Sequence, residues 1–419
     1  MKTRNRSKTR ILFVDDDPAI LEVLELTLDS MSEEWKMAFA SSGEEALSRM
    51  ARQPFDVIVS DMRMSGMDGA QLLDEVWQRY PSTVRLILSG YSDVQSGMRC
   101  VGTTHQFLLK PFSVAELKTT LQRICKLRNR VRNDKILALV ARRRALPTVP
   151  AVYIRILKAL QNPNCSAELI GEIIEQDPGL TGKILQLVNS AFFGVANEVS
   201  NACEAVLLLG VGTIRSLALS LQLFSIFNPK AGEGFSVEQI LDHSLRVGLL
   251  ARRIAKFEEG DEKLMEQAFT AGLMHDVGKL MLTESLSETY LKLIWKAQQQ
   301  RRPLVEMEKE ALHATHAEVG AYLLDLWGLP IPLVEAVALH HEPRDLSEMV
   351  FSPLTAVHVS NVIEHETGVE DQAGLKNQLD LTYLNNIGLA DRVKHWRAEL
   401  CALDWGAGVP RKSGALVLH

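Results

Sequence analysis

The chain has 419 residues, of which 46% are hydrophobic and 23% charged, so its composition is that of a folded globular protein with length for two or three domains. The net charge of −6 argues against a nucleic-acid binder as a whole, although local basic patches remain compatible with it. The five cysteines are scattered, odd in number and never at metal-ligand spacing, which indicates free thiols in a reducing compartment. Residues 1–10 lack the apolar core of a secretory signal, and the longest apolar stretch, 205–227, is interrupted by Gly210 and Arg215. We therefore expect a cytoplasmic protein without a membrane span.

Short apolar runs alternate with helical patterns over the first 125 residues. The runs are too short for helices and apolar throughout, which is typical of strands buried in a parallel sheet. They lie at residues 11–14, 55–61, 85–88 and 107–109, with helical patterns at 18–28, 43–51, 69–79 and 94–100. This alternation predicts an open, doubly wound α/β domain.

Polar side chains follow the predicted strands. Asp15 and Asp16 come directly after one strand and Asp61 ends another, so all three carboxylates should meet at the carboxyl edge of the sheet. Carboxylates this close repel one another unless a cation lies among them, and a hard divalent ion such as Mg²⁺ meets that need. Ser89 and Lys110 end two further strands and supply a hydroxyl and a point charge suited to phosphate oxygens.

These segments resemble the receiver domain of bacterial response regulators. The matching motifs are Val14-Asp15-Asp16, Asp61 with its Met-x-Met-x-Gly-Met-Asp-Gly tail, Leu88-Ser89-Gly90 and Lys110-Pro111-Phe112. The resemblance implies a flavodoxin-like fold in which a sensor histidine kinase phosphorylates Asp61. It also implies that Asp15, Asp16 and Asp61 hold Mg²⁺ while Ser89 and Lys110 contact the phosphoryl group.

Two further positions bear on this resemblance. Phe107 matches the aromatic switch position of receiver domains. Ser65 stands where these domains usually have proline.

A basic helical pattern follows the receiver segment. Ser113 and Glu116 have the spacing of a capping box, and apolar residues then recur at helical spacing as far as Val140. Arginines and lysines crowd the other face, which favours a solvated linking helix over a patch for nucleic acid or for an acidic partner surface. A continuous helix here would carry a phosphorylation signal and could pair two chains into a homodimer.

Beyond Pro147 and Pro150 the pattern is helical almost throughout, and the histidines cluster. Eight of the eleven histidines lie between His243 and His365. Imidazoles from separate helices, with the carboxylate of Asp276, can form a cage of nitrogen and oxygen ligands for one or two divalent metals. Such a cage activates water towards phosphate esters, and Lys279 would hold a phosphate oxygen.

The segment from residue 146 to 227 resembles the first half of an HDOD domain. The motifs that carry this resemblance are residues 177–180 (Asp-Pro-Gly-Leu), 188–194 and 205–210. The later half resembles HD-type metal-dependent phosphohydrolases. By motif, the divalent-metal ligands would be His243, His275, Asp276, His316, His340 and His341.

Two departures from the phosphohydrolase pattern leave the enzymatic assignment open. Asn361 stands where that pattern has a ligand aspartate, and no Gly-Tyr-Pro loop follows His340-His341-Glu342. Two hypotheses follow. In the first, the HDOD domain is an output module that binds a protein or nucleotide ligand; in the second, it is a receiver-regulated phosphohydrolase of a nucleotide or cyclic dinucleotide.

The predicted organisation has four parts. They are a receiver domain at 10–125, a basic helical linker at 126–145, an all-α HDOD output domain at 146–365, and C-terminal helices with a tail at 366–419.

Overall fold

The structure is a computed structural model, and the chain divides into two compact units. It describes residues 8–80, 83–89, 104, 106–110, 113–130, 150–162, 165–190, 192–193, 195, 197–227, 235–345, 350–367 and 379–401. None of the helices described there has the length and apolarity needed to cross a membrane.

A five-stranded parallel sheet forms the centre of the N-terminal unit. Its strands are β1 (Thr9–Val14), β2 (Trp35–Ala40), β3 (Val57–Asp61), β4 (Val84–Ser89) and β5 (Gln106–Leu109). The strand order is β2-β1-β3-β4-β5, with all pairs parallel. This is the flavodoxin-like order, in which the chain changes direction between β1 and β3, and ligand sites lie at the carboxyl ends of those two strands.

Four helices of this unit begin at capping side chains. They are α1 (Pro18–Leu28), α2 (Gly43–Arg52), α3 (Gly69–Arg79) and α4 (Val114–Arg130). Asp68 and Gln71 form a reciprocal capping box that begins α3 immediately after the loop that follows Asp61. As the sequence predicts, the Ser113 hydroxyl accepts a hydrogen bond from the Glu116 amide at 3.1 Å and begins α4.

The edge strand β2 is absent from the sequence-based prediction, which has four strands. Lys36 is exposed and Met37 to Phe39 are only partly buried, so the segment alternates instead of forming a continuous apolar run. An edge strand is covered less than a central one, and a search for fully apolar runs misses it for that reason. The predicted helix at 94–100 and the linker beyond Arg130 lie outside the described residues.

The second unit is helical. Its helices are α5 (Ala151–Ala159), α6 (Ala167–Glu175), α7 (Pro178–Val188), α8 (Ala202–Leu209), α9 (Val211–Ile226), α10 (Val237–Phe257), α11 (Glu262–Met274), α12 (Val277–Leu286), α13 (Glu288–Gln300), α14 (Leu304–Leu312), α15 (His316–Leu326), α16 (Ile331–Leu339), α17 (Pro353–Thr367), α18 (Leu381–Asn386) and α19 (Val393–Cys401).

The start of α7 corrects one sequence-based assignment. The sequence predicts a turn at residues 177–180 and a helix from Thr181, whereas α7 begins at Pro178. Asp177 accepts a hydrogen bond from the Leu180 amide at 3.0 Å, so it is the N-cap. Proline is favoured in the first turn because that turn's amide needs no intrahelical acceptor. The segment is therefore a cap and a first turn.

Two glycines allow helices to approach closely where the histidines lie. A Cβ atom on Gly272 would lie 2.6 Å from the Cα of Gly248, so α11 and α10 are in backbone contact there. A Cβ on Gly278 would lie 1.9 Å from the carbonyl oxygen of His316, which fixes the start of α12 against the start of α15. These contacts bring together α10, which carries His243, the junction of α11 and α12, which carries His275, and α15, which begins at His316.

Candidate functional site

An acidic pocket lies where β1 and β3 end. Asp15 and Asp61 are only 3% and 8% exposed, respectively. The Lys110 ammonium lies 2.5 Å from Asp61 Oδ1 and 3.8 Å from Asp15 Oδ2. The second oxygen of Asp61 accepts a hydrogen bond from the Arg63 amide at 2.9 Å. The structure thus brings together the predicted phosphoacceptor, one predicted metal ligand and the predicted phosphate-binding lysine.

Asp16 is held by the loop that follows β3. Its Oδ2 accepts hydrogen bonds from the Ser65 amide at 2.8 Å and the Ser65 hydroxyl at 2.9 Å. These two bonds lower the pKa of Asp16. A proline at position 65 would offer neither donor, because it has no N–H and no hydroxyl.

The donor set of this pocket fits a hard cation. Asp15 Oδ2 is buried and accepts no hydrogen bond from the described residues. Burial raises the pKa of Asp15, and the nearby Asp61 carboxylate raises it further. Leaving a buried carboxylate oxygen without a donor is costly, and a divalent cation among oxygen ligands would remove that cost.

Two other predicted positions are described only by their backbone. Ser89 ends β4, where it pairs with Leu109, and Phe107 lies in β5. Both side chains lie outside the described residues.

In the helical unit, the six predicted ligands converge from several helices. They form two of the groups whose ligand atoms lie within 4.8 Å of one another: His243 with His275 and Asp276, and His316 with His340 and His341. His243 lies on α10, and His275 and Asp276 lie between α11 and α12. His316 begins α15, and His340 and His341 follow α16.

Asp276 connects these two groups. Its Oδ2 lies 3.4 Å from His275 Nε2 and 3.7 Å from His243 Nε2. Its Oδ1 lies 3.3 Å from His316 Nε2. Although burial alone would raise it, the pKa of Asp276 lies well below its usual value, because His275 and Lys279 stabilise the charged form. An ionised carboxylate between two imidazole groups is suited to bridging two cations.

Hydrogen bonds orient four of the histidines in the same way. Each Nδ1 faces an oxygen acceptor, so in the neutral ring each Nδ1 carries the proton and each Nε2 presents a lone pair. The four contacts are His243 to Glu364 Oε2 at 2.6 Å, His275 to Gly272 O at 2.7 Å, His316 to Glu308 Oε2 at 2.8 Å and His340 to Val337 O at 2.8 Å.

These lone pairs fit a metal ion. The Nε2 atoms of His243 and His275 are 3.1 Å apart, so two neutral rings in this tautomer would place two lone pairs against each other. His340 Nε2 is buried and has no hydrogen-bond partner among the described residues. Two ligand atoms about 2.1 Å from a shared cation lie roughly 3–3.4 Å apart, so the observed spacing is that of a coordination shell. Imidazole nitrogens with one carboxylate suit a divalent transition metal.

Asn361, which stands in the place of the expected ligand aspartate, lies at this centre. Its Oδ1 is 3.1 Å from His243 Nε2. One turn further along α17, Glu364 binds His243 and also pairs with Arg246 at 2.5 Å. The His365 ring lies with its centroid 4.7 Å from that of His243. Burial lowers the pKa of His365 to about 3.

Sequence reasoning missed Glu364, His365 and Glu308 as parts of the site. Positions 361, 364 and 365 share one helix face, and that spacing is a signal the sequence does contain. Glu308 is fully buried and accepts hydrogen bonds from both the His316 amide and the Tyr290 hydroxyl. Its place on α14 gives no such signal, because nothing in the sequence shows that α14 packs against His316.

Lys279 lies at the edge of the centre. Its ammonium is 2.6 Å from Asp276 Oδ2, and it lines a cavity of about 160 Å³ together with His243 and His316. The structure therefore places the predicted phosphate-binding lysine next to the predicted metal ligands.

Fold and site together define a class of protein, a response regulator in which a phosphoacceptor-type domain precedes a helical domain with an HD-type ligand cluster. Family models match both of these domains. The response regulator receiver domain matches residues 11–122, and the HDOD domain matches residues 146–343. The chain is thus a response regulator whose receiver domain is followed by an HDOD domain, an HD-like output domain.

Individual relatives match parts of the chain. An uncharacterised protein of Treponema pallidum is 27% identical over 265 residues, which are 61% of this chain and 51% of the relative. The hydrogenase transcriptional regulatory protein HoxA of Cupriavidus necator is 37% identical over 115 residues, or 27% of this chain and 23% of the relative. The chain therefore spans about half of the first relative and a quarter of the second.

One solved structure shows the fold of the helical unit. The crystal structure of a Shewanella amazonensis protein aligns with a TM-score of 0.50 and 23% identity. The alignment covers 66% of this chain and 96% of that protein.

Proposed function

We propose that Asp61 accepts a phosphoryl group from a histidine kinase and that this modification controls the HDOD output domain. The observation that carries the proposal is the position of Asp61 at the end of β3, with the Lys110 ammonium 2.5 Å from its carboxylate. A receiver domain implies such a phosphodonor.

The chemistry follows from the charges in the pocket. A carboxylate oxygen of Asp61 forms a bond to phosphorus while the bond from phosphorus to the donor's histidine nitrogen breaks. Lys110 stays beside Asp61 and balances the charge on the transferred group. Mg²⁺ held by Asp15, Asp16 and Asp61 would supply the remaining charge neutralisation, and Ser89 would contact the phosphoryl group.

Chemical trapping tests the modified residue. Full-length protein is incubated with Mg²⁺ and acetyl phosphate, reduced with borohydride and analysed by peptide mass spectrometry. We expect homoserine at position 61, because borohydride reduces an aspartyl phosphate to that alcohol. Asp61→Asn should abolish trapping, whereas Asp74→Asn, a change at an acid on α3 whose side chain bonds Gln78, should not. Trapping at another aspartate instead would refute the assignment.

The phosphorylated receiver is proposed to change how the output domain binds a protein or nucleotide ligand. Helix α4 begins at Val114, four positions after Lys110, so it is connected directly to the pocket. A pull-down with and without beryllofluoride, repeated with Asp61→Ala, tests this. Partner recovery that is the same in all samples would contradict it, and the mass of the complex in solution reports whether the linker also pairs two chains.

A second candidate function is metal-dependent hydrolysis of a phosphate ester by the output domain. It is supported by the two groups of candidate ligands, by Asp276, which belongs to one group and lies 3.3 Å from His316 of the other, and by the four histidines whose Nδ1 atoms face oxygen acceptors. A bound divalent cation supplies activation of water and neutralisation of phosphate charge. Water then forms a bond to phosphorus, the ester bond breaks, and the departing alcohol takes a proton. Lys279 would hold a phosphate oxygen.

Metal analysis of the purified full-length chain tests this candidate. We expect about two divalent transition-metal ions per chain, with loss of this metal and of phosphatase activity in His275→Ala. His395→Ala, at an exposed position on α19, is the matched control. Metal binding without hydrolysis of any phosphate ester would leave the output domain as a binding module.

A further inference from the structure

Two cavities with different linings meet at the histidine centre. The first, of about 160 Å³, contains Lys279 and His243 in its wall. The second, of about 310 Å³, contains His340 and Asn361 in its wall. His341, Pro303 and Val305 line both, so a molecule bound in either cavity would reach the same ligand cluster.

Charge distinguishes the two cavities. The first cavity contains one lysine and one carboxylate, Lys279 and Asp276, which pair at 2.6 Å. The second cavity contains Glu306 and Glu342, and its lysine, Lys309, is paired with Glu342 at 2.5 Å. With one carboxylate per lysine in the first cavity and two in the second, an anionic group is favoured in the first cavity over the second.

The remainder of the first cavity is largely apolar. Its wall there is formed by side chains from α10 and the residue just before its N-cap, from α13 and from the start of α14. The apolar residues are Phe235, Ile240, Ile294, Ala297, Leu304 and Val305. One cavity thus joins a centre suited to phosphate with a surface suited to a hydrocarbon or aromatic group.

Its volume limits the size of that group. Pockets for drug-sized ligands are about 300–1,000 Å³, whereas a cavity of about 150 Å³ accommodates benzene. At about 160 Å³, the first cavity has a volume suited to one ring.

We propose that the first cavity binds a phosphate monoester whose organic group is about one ring in size, with its phosphate at Lys279 and the histidine centre and its ring against α10, α13 and α14. This inference rests on the second candidate function, because it uses the same metal centre. It narrows the ligand class of that centre to small phosphate monoesters.

Binding of phosphonates separates the ring's contribution from catalysis, because the carbon–phosphorus bond resists hydrolysis. The full-length chain, loaded with Mn²⁺, is titrated calorimetrically with phenylphosphonate, methylphosphonate and cyclic di-GMP. We expect phenylphosphonate to bind about tenfold or more tightly than methylphosphonate, since removing one ring from water has roughly that effect. Cyclic di-GMP should bind more weakly than phenylphosphonate.

Cavity-filling variants locate the ring. Leu304→Trp and Ile240→Trp, at partly exposed positions of the wall, should abolish the preference for phenylphosphonate and leave methylphosphonate affinity within about twofold. Leu208→Trp, at a position that is 55% exposed and outside the walls of both cavities, should bind like the unmodified chain. Circular dichroism checks that each variant is folded.

Failure of the proposed ring site and failure of the hydrolase function would give different results in these experiments. Equal affinity for the two phosphonates in a metal-loaded chain would contradict the ring site. It would not contradict the metal centre. Tighter binding of cyclic di-GMP would also overturn it. A chain that binds no divalent metal would overturn both the hydrolase candidate and the ring site.

Discussion

The receiver pocket and the histidine centre are built in opposite ways. The pocket uses carboxylates at the ends of adjacent parallel strands, so the sheet topology alone brings Asp15 and Asp61 together. The histidine centre uses side chains from five separate places in a helical domain, and their convergence depends on close helix contacts at Gly248, Gly272 and Gly278. Oxygen ligands suit a hard ion such as Mg²⁺, whereas imidazoles suit a transition metal. The two sites should therefore select different cations and respond differently to substitution.

Loss of the bridging carboxylate should have the largest effect. We expect Asp276→Ala to lower the affinity of the helical unit for divalent transition metal at least a hundredfold, because one side chain serves both ligand groups. Competition with a chromogenic chelator measures this. Phosphorylation at Asp61 should be unaffected, and Asp391→Asn, at an exposed position, is the control. An unchanged metal affinity in Asp276→Ala would mean that the cluster is not a metal centre.

Removal of an orienting carboxylate should have a smaller effect. Glu364→Gln keeps the size of the side chain but removes the charge that fixes the His243 tautomer. Loss of such a partner costs about 10–100-fold in metal affinity. Glu366→Gln, two positions further on and paired with an exposed arginine, is the matched control. Equal losses in both variants would indicate a general effect on α17 and not one through His243.

Chelation should separate the two sites further. A chelator selective for transition metals should lower the melting temperature of the helical unit, because a ligand that binds only the folded state stabilises it. The same chelator should leave Mg²⁺-dependent phosphorylation of Asp61 unchanged. Differential scanning calorimetry and phosphorylation assays on one preparation report both effects. Loss of phosphorylation on removal of transition metal would contradict the proposal that the receiver pocket uses Mg²⁺ and the histidine centre a transition metal.

The smallest effect is expected at Ser65. Ser65→Ala removes one of two hydrogen bonds to the exposed Asp16 carboxylate, and such a bond is worth about 0.5–1.5 kcal/mol. Mg²⁺ affinity, measured by titration, should therefore change by less than about tenfold. Ser65→Pro removes both donors and should change it more. Ser65→Thr keeps both donors and should behave like the unmodified chain. A larger effect of Ser65→Ala than of Ser65→Pro would contradict this role for Ser65.

The receiver pocket and the histidine centre also differ in how much of each can be predicted from the sequence. Asp61, Asp15 and Lys110 could be placed together because short apolar runs reveal strands and strand ends share one edge. The edge strand β2 was not predicted, because several of its residues are only partly buried and it lacks a continuous apolar run. In the helical unit, motifs predicted six candidate ligands, and the structure brings their side chains together. Glu308 could not be foreseen, because its role depends on how α14 packs against α15, and helix periodicity does not specify which helices meet.

The central claim is that Asp61 is phosphorylated in a pocket loaded with Mg²⁺, and intact-mass measurement tests it most directly. The full-length chain is incubated with acetyl phosphate in the presence of Mg²⁺ or of EDTA, alongside Asp61→Asn. The account predicts the mass of one added phosphoryl group in the unmodified chain with Mg²⁺, and no addition with EDTA or in Asp61→Asn. No added mass in the presence of Mg²⁺, or equal addition to Asp61→Asn, would contradict the account.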